Sequence, residues 1–142
     1  MPTPKLLIVY LHGFRSSPNS SKAQLTGGAI ASLVKDGQAI EWYCPQLPPS
    51  PQAAMTMVKQ KIAETKAKDL CIIGSSLGGF YATYLAEQYP HAKAIMLNPA
   101  VRAARELAPY VGAERFVSLR GYRHRTLHWG PEGQTTFFLL HG

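Results

Sequence analysis

Apolar runs and helical stripes alternate along this chain. Residues 6–11, Leu-Leu-Ile-Val-Tyr-Leu, form an unbroken apolar run that stops just before His12-Gly13, the signature of a strand buried on both faces of a parallel sheet. A polar turn follows, Arg15-Ser16-Ser17-Pro18-Asn19-Ser20-Ser21, whose serines suit the cap of a helix starting near Lys22. That helix is expected to turn Leu25, Ala29, Ile30, Leu33 and Val34 to one face and to end at Gly37. Residues 39–44 read as a second strand closed by Pro45. The stretch Gln46-Leu47-Pro48-Pro49-Ser50-Pro51 must be a loop, because each proline removes a backbone donor and fixes φ. From 52 to about 66, Ala54, Val58, Ile62 and Thr65 recur at helical spacing, with Pro51 near the first turn, where proline is tolerated. Residues 70–73 predict a third buried strand, 77–88 a third helix stopped by Pro90, and 94–97 a fourth strand.

Four strand–helix alternations with short connections argue for an α/β fold, a parallel sheet flanked by helices on both faces. The length, 142 residues, supports a single domain over 1–142, with no internal repeat and no linker to divide it. With 46% hydrophobic and 16% charged residues the composition is that of an ordinary globular protein. The formal charge of +7 would favour polyanions, but Lys59, Lys61, Lys66 and Lys68 fall as solvated helix surfaces do. No basic stripe interleaved with aromatics precedes the C-terminal tail, so neither nucleic acid nor a membrane surface is an expected partner. The tail's Arg and His residues leave salt-dependent nucleic-acid binding as a competing reading.

Cys44 and Cys71 lie in apolar runs, where a free thiol packs as a small hydrophobe. Without Cys-x-x-Cys or paired-His spacing, no metal site is expected. The N-terminal apolar run is too short for the layout of a signal peptide, and no run approaches membrane-spanning length. A cytoplasmic location with reduced thiols is the default expectation.

The chemistry concentrates at Gly74-Ser75-Ser76-Leu77-Gly78. A Gly-x-Ser-x-Gly string arises by chance roughly once in twenty chains of this length, so its position carries the weight. It follows a predicted strand and opens a predicted helix, the context of a nucleophile elbow. Gly74 and Gly78 suit a strained turn packed against neighbouring backbone, and Ser76 would project above the carboxyl edge of the sheet as nucleophile. The Leu77 N–H, at the helix N-terminus, would face a developing oxyanion. A second donor should come from the loop after the first strand, His12-Gly13-Phe14, with the Phe14 N–H in that role. His12 is expected to shape this loop rather than act as general base, and Ser75 and Tyr81 to pack or form a rim. The alternative, a phosphate-cradling turn, lacks the Lys-Ser/Thr ending of a P-loop and the spacing of a dinucleotide fingerprint.

Four blocks in order resemble the YqiA-type bacterial esterases, a family within the α/β-hydrolases. They are residues 12–23 (His-Gly-Phe-Arg-Ser-Ser-Pro-Asn-Ser-Ser-Lys-Ala), 45–49 (Pro-Gln-Leu-Pro-Pro), 74–83 (Gly-Ser-Ser-Leu-Gly-Gly-Phe-Tyr-Ala-Thr) and 97–102 (Leu-Asn-Pro-Ala-Val-Arg). The resemblance spans about residues 4–112. It implies hydrolysis of small acyl esters, thioesters included, without a cofactor, with Ser76 as nucleophile and Phe14 and Leu77 as oxyanion donors. In such hydrolases an Asp or Glu and then a His follow the nucleophile, yet both aspartates here, Asp36 and Asp69, precede Ser76. Past Gly112 the text stops resembling the family, and the tail carries four Arg, three His and no Lys. Residues 113–142 therefore read as an atypical tail, from a changed reading frame or an aberrant terminus, on a truncated α/β-hydrolase fold lacking its usual C-terminal strands. His124, His128 and His141 are the candidate bases there, His141 near the edge of a strand expected over 135–140. Glu87 and Glu106 read as surface charges; Glu114 and Glu132 have no assigned place. A catalytically impaired fragment, serving at most as a binding module, is the alternative.

Overall fold

In the computed structural model, residues 3–99 are described in full, together with the backbone of 113–119, 122–128 and 136–139. The first part alternates as expected: β1 (Leu6–Leu11), α1 (Ser21–Lys35), β2 (Ile40–Tyr43), α2 (Pro51–Glu64), β3 (Asp69–Ser75), α3 (Gly78–Gln88) and β4 (Lys93–Leu97). The four strands form one parallel sheet in the order β2-β1-β3-β4. The sheet grows from β1 to one side through β2 and to the other through β3 and β4, and the carboxyl ends of β1 and β3 lie side by side, with Leu11 level with Gly74. Ligands of open α/β sheets bind at such a point.

The two helix starts expected from the sequence are capped as their residues dictate. The Ser20 hydroxyl accepts from the Ala23 N–H and the Ser50 hydroxyl from the Ala53 N–H, with Pro51 at the first helical position of α2. Each such cap is worth about 1 kcal/mol.

Because strand side chains alternate, the sheet presents two apolar faces. Leu7, Val9, Leu11 and Ile72 meet Ala54, Met55 and Val58 of α2 and Phe80, Tyr81, Ala82 and Leu85 of α3. Ile8, Tyr10, Cys71 and Ile73 meet Ala23 and Ile30 of α1, with Trp42 and Cys44 packed alongside. Both thiols are thus fillers, and burial pushes both above their ordinary range. The Tyr10 hydroxyl is buried without a hydrogen-bond partner among the described residues.

The expected inward face of α1 is not the observed one. Of the five residues assigned to it, only Ile30 is buried; Ala29 is exposed, and Leu25, Leu33 and Val34 stay 76%, 44% and 44% exposed. The helix instead turns Ala23, Gly27 and Ile30 inward, and a Cβ on Gly27 would stand 3.3 Å from the Trp42 indole nitrogen. At about 100° per residue, Leu25 lies on the side away from Ala23 and Ile30. The approach to Trp42 needs small residues, and a search for large apolar ones passes over them.

The tail forms β5 (Ala113–Leu119), β6 (Tyr122–His128) and β7 (Thr136–Leu139), an antiparallel sheet in the order β5-β6-β7. Only the last was anticipated. β5 and β6 pair antiparallel from Ala113↔His128 to Leu119↔Tyr122. No described helix is long and apolar enough to cross a membrane.

Candidate active site

Ser76 stands between the end of β3 and the start of α3 with φ of +54°, a left-handed conformation that costs a non-glycine residue roughly 1–2 kcal/mol. Its neighbours hold it there. The Ser76 N–H donates to the Leu97 carbonyl at 3.0 Å, tying the bend to the end of β4, and its carbonyl accepts from the Gly79 N–H at 3.0 Å. A Cβ on Gly74 would fall 2.1 Å from the Gly78 oxygen, and one on Gly78 would fall 2.0 Å from the Leu11 oxygen. Both contacts are with backbone, so neither position admits a side chain. The flanking glycines thus let the bend close on itself and on the end of β1, while Ser76 itself stays exposed.

The loop after β1 comes directly against this serine. A Cβ on Gly13 would lie 3.2 Å from the Ser76 Cβ and 3.6 Å from its Oγ. Residues 13–16 form a turn closed by the Ser16 N–H on the Gly13 carbonyl at 3.1 Å, with Arg15 at φ +56°. Phe14, 41% exposed, sits at its tip with the Arg15 guanidinium 5.5 Å from its ring centre.

His12 is buried, and both ring nitrogens are used. Nε2 accepts from the Leu47 N–H at 2.9 Å, so the proton is assigned to Nδ1, which donates to the Gly13 carbonyl at 2.8 Å. The Gln46 side-chain amide, 3.2 Å from His12 Nε2, also donates to the Ser16 carbonyl at 3.3 Å. His12 therefore fastens the loop of residues 12–16 to the proline loop of residues 45–49. The proline loop's place here was not foreseen; Leu47 between prolines, the one large apolar residue in that stretch, was the available signal.

Two clefts open beside Phe14. One, about 280 Å³, is lined by Phe14, Leu47, Pro48, Pro49, Leu77 and Tyr81 together with the turn itself. The other, about 320 Å³, holds Ser76 with Ser75, Ser20, Ser21 and Lys22, and shares Gly13, Phe14 and Ser16 with the first. Tyr81 forms a rim of the apolar cleft, and burial drives its hydroxyl above the usual tyrosine range, keeping it protonated. The helix α3 carries no acidic residue in its first turn to offset the positive end of its dipole beside Ser76.

The structure thus brings together Ser76, Gly74, Gly78, Leu77, Gly13, Phe14 and His12. It adds Lys22, Ser20 and Ser21, which the sequence places at a helix start and in the first resemblance block without a role at the site. Glu87 lies on α3 and is partly exposed, as expected. Glu114 falls in β5, and His124 and His128 in β6; Glu106, Glu132 and His141 lie outside the described residues. Among the described residues no cluster of His, Cys, Asp or Glu could hold a metal ion.

A family model described as an uncharacterised protein family, UPF0227, matches residues 7–127. The match continues past Gly112, where the resemblance in the sequence blocks ends, and takes in β5 and most of β6. Among solved structures, the chain is similar to a "Putative hydrolase" from Agrobacterium vitis S4, with 16% identity and a TM-score of 0.54. The alignment covers 87% of this chain but 59% of that one. At that identity the likeness speaks for the α/β fold.

Proposed function

The chain belongs to the UPF0227 family, the family of the YqiA-type esterases, and on that premise we propose that it is a serine hydrolase acting on short acyl esters, thioesters included. The observation that carries the reading is the exposed Ser76, held at positive φ between two glycines that tolerate no side chain and against the loop at Gly13. Strain of this kind persists only where the surroundings enforce it, and it gathers at functional sites.

In the proposed reaction, Ser76 Oγ attacks the acyl carbon while its proton passes to a base. The carbonyl oxygen, now an oxyanion, is received by the Leu77 and Phe14 N–H groups. Collapse expels the alcohol or thiol, and water then hydrolyses the Ser76 acyl ester. Each oxyanion donor is worth roughly 2.7–4 kcal/mol in systems of this type. The apolar cleft at Leu47, Pro48, Pro49 and Tyr81 suits the acyl chain, and its volume of about 280 Å³ suits a short one.

The base is not His12, whose nitrogens are both engaged. Nor is it His91, which precedes β4 and so stands at the opposite edge of the sheet from Ser76. His124, His128 and His141 remain, and no Asp follows Ser76. This favours a second reading, a hydrolase-derived chain that binds or is acylated without efficient turnover. Such a site keeps about 10³–10⁴-fold over water from the oxyanion hole and binding alone.

A fluorophosphonate followed by intact-mass measurement tests the proposal. One adduct on Ser76, absent in Ser76→Ala, is the expected result; no adduct, or the same adduct in both proteins, would leave the fold alone. Release of product from a chromogenic short-chain ester separates the two readings, since the impaired chain is labelled but turns over slowly.

A further inference from the structure

The polar cleft differs from its neighbour in what it offers a ligand. Ser76 shares it with the first turn of α1, Ser20, Ser21 and Lys22. The Ser20 hydroxyl caps Ala23, and the amides of Ser21 and Lys22 precede any intrahelical acceptor, so they point from the helix end as donors. No acidic residue stands in that first turn. Lys22 places a cation at the positive end of the helix dipole, an unfavourable arrangement when empty and a favourable one when an anion lies between them.

A second observation comes from the other wall. Ser75 is 92% buried, by its 8% exposure, yet lines the same cleft. Strand alternation puts it on the α1 side of β3 with Cys71 and Ile73. Among the described residues its hydroxyl has no hydrogen-bond partner. The residue opens onto this cleft, where a ligand can accept from its hydroxyl.

We infer that this cleft is the leaving-group subsite, and that it selects esters or thioesters whose alcohol or thiol bears a carboxylate or phosphate a few bonds from the scissile oxygen or sulfur. The inference rests on the serine-hydrolase reading of Ser76. With the acyl chain in the apolar cleft, Phe14 divides the two halves of the substrate. The anion reaches Lys22, the Ser21 and Lys22 amides and the Ser75 hydroxyl. A volume of about 320 Å³ shared with Ser76 keeps that anion close to the ester.

The test uses three phosphonothioates with one phosphonyl group and matched leaving thiols, ending in a carboxylate, a phosphonate or a neutral carboxamide. Rates of Ser76 phosphonylation are read by intact mass. At low ionic strength the better anionic probe should exceed the carboxamide by about fivefold, the scale of charge interactions at a helix N-terminus, and salt should shrink the ratio. Lys22→Gln should bring the ratio to about one, Lys22→Glu should invert it, and Ser75→Ala should lower it. Equal rates for all three probes on a chain that a neutral fluorophosphonate labels at Ser76 would overturn the subsite and leave the hydrolase reading standing. Failure of every probe, the fluorophosphonate included, would overturn both.

Discussion

On one side of the sheet α2 and α3 press Ala54, Val58, Ala82 and Leu85 onto Leu7, Val9, Leu11 and Ile72, all of them fully buried. On the other, α1 alone offers Ala23 and Ile30 to Ile8, Tyr10, Cys71 and Ile73. The first face is closed by two helices and large side chains. The second is covered by one helix that approaches through small residues, leaves Leu25, Leu33 and Val34 in solvent and, among the described residues, gives the Tyr10 hydroxyl no partner. The difference extends to the carboxyl edge. Above the α3 side lies the apolar cleft with Leu77 and Tyr81; above the α1 side lies the polar one with Ser75 and Lys22. Each helix end carries the character of its face up to Ser76, which stands where the two meet.

The largest effect that would break this picture is at the junction. In Gly78→Ala the new methyl would stand 2.0 Å from the Leu11 carbonyl oxygen, which neither β1 nor α3 can vacate. We expect a loss of about 4 kcal/mol or more, seen in urea denaturation or as failure to recover folded protein. Next, the two faces should respond unequally to the same change. Leu85→Ala should cost about 2–5 kcal/mol and Leu25→Ala less than about 0.5 kcal/mol; equal costs would erase the distinction between them. Ser76→Gly relieves the φ of +54° at the expense of a freer unfolded chain. It should raise stability by roughly 0.5 kcal/mol while abolishing fluorophosphonate labelling.

The smallest effect concerns the fastening of α2. Lys61 pairs with Glu41 of β2, and the Thr65 hydroxyl donates to the same carboxylate at 2.8 Å. The Lys61 and Thr65 hydrogen bonds hold the Glu41 carboxyl below its ordinary value of 4.5. A depressed carboxyl pKa stabilises the fold above the unfolded value and loses that contribution as pH falls through the folded one. Glu41→Gln should therefore cost under about 1 kcal/mol at neutral pH, as exposed pairs do. The difference from wild type, followed by thermal denaturation, should fade as the pH is taken below 4.5.

Elements whose large apolar residues do the packing were readable before any coordinates. The runs at 6–11 and 70–73 gave β1 and the middle of β3, and the spacing of Ala54 and Val58 gave the buried stripe of α2. The tight bend between β3 and α3 was equally legible, because Gly74 and Gly78 are dictated by backbone close by in the sequence or at the end of β1. α1 misled because two stripes overlap on it. Leu25, Ala29 and Leu33 form an apolar row facing away from the sheet, and the inward row is built on Ala23 and Gly27, which carry little hydrophobic signal. The β5–β6 pair was missed since Arg and His occupy so many of its positions. Lys22 was overlooked for another reason: only the fold brings the start of α1 to the same cleft as residues 75 and 76.

In the proposed reaction the developing charge is received beside Ser76 by two backbone amides. A crystal structure of the chain carrying a phosphonyl group addresses this directly. The account predicts a covalent bond to Ser76 Oγ with the phosphoryl oxygen about 2.7–3.1 Å from both the Phe14 and Leu77 amide nitrogens. A phosphoryl oxygen turned to solvent, or an adduct on another residue, would contradict it.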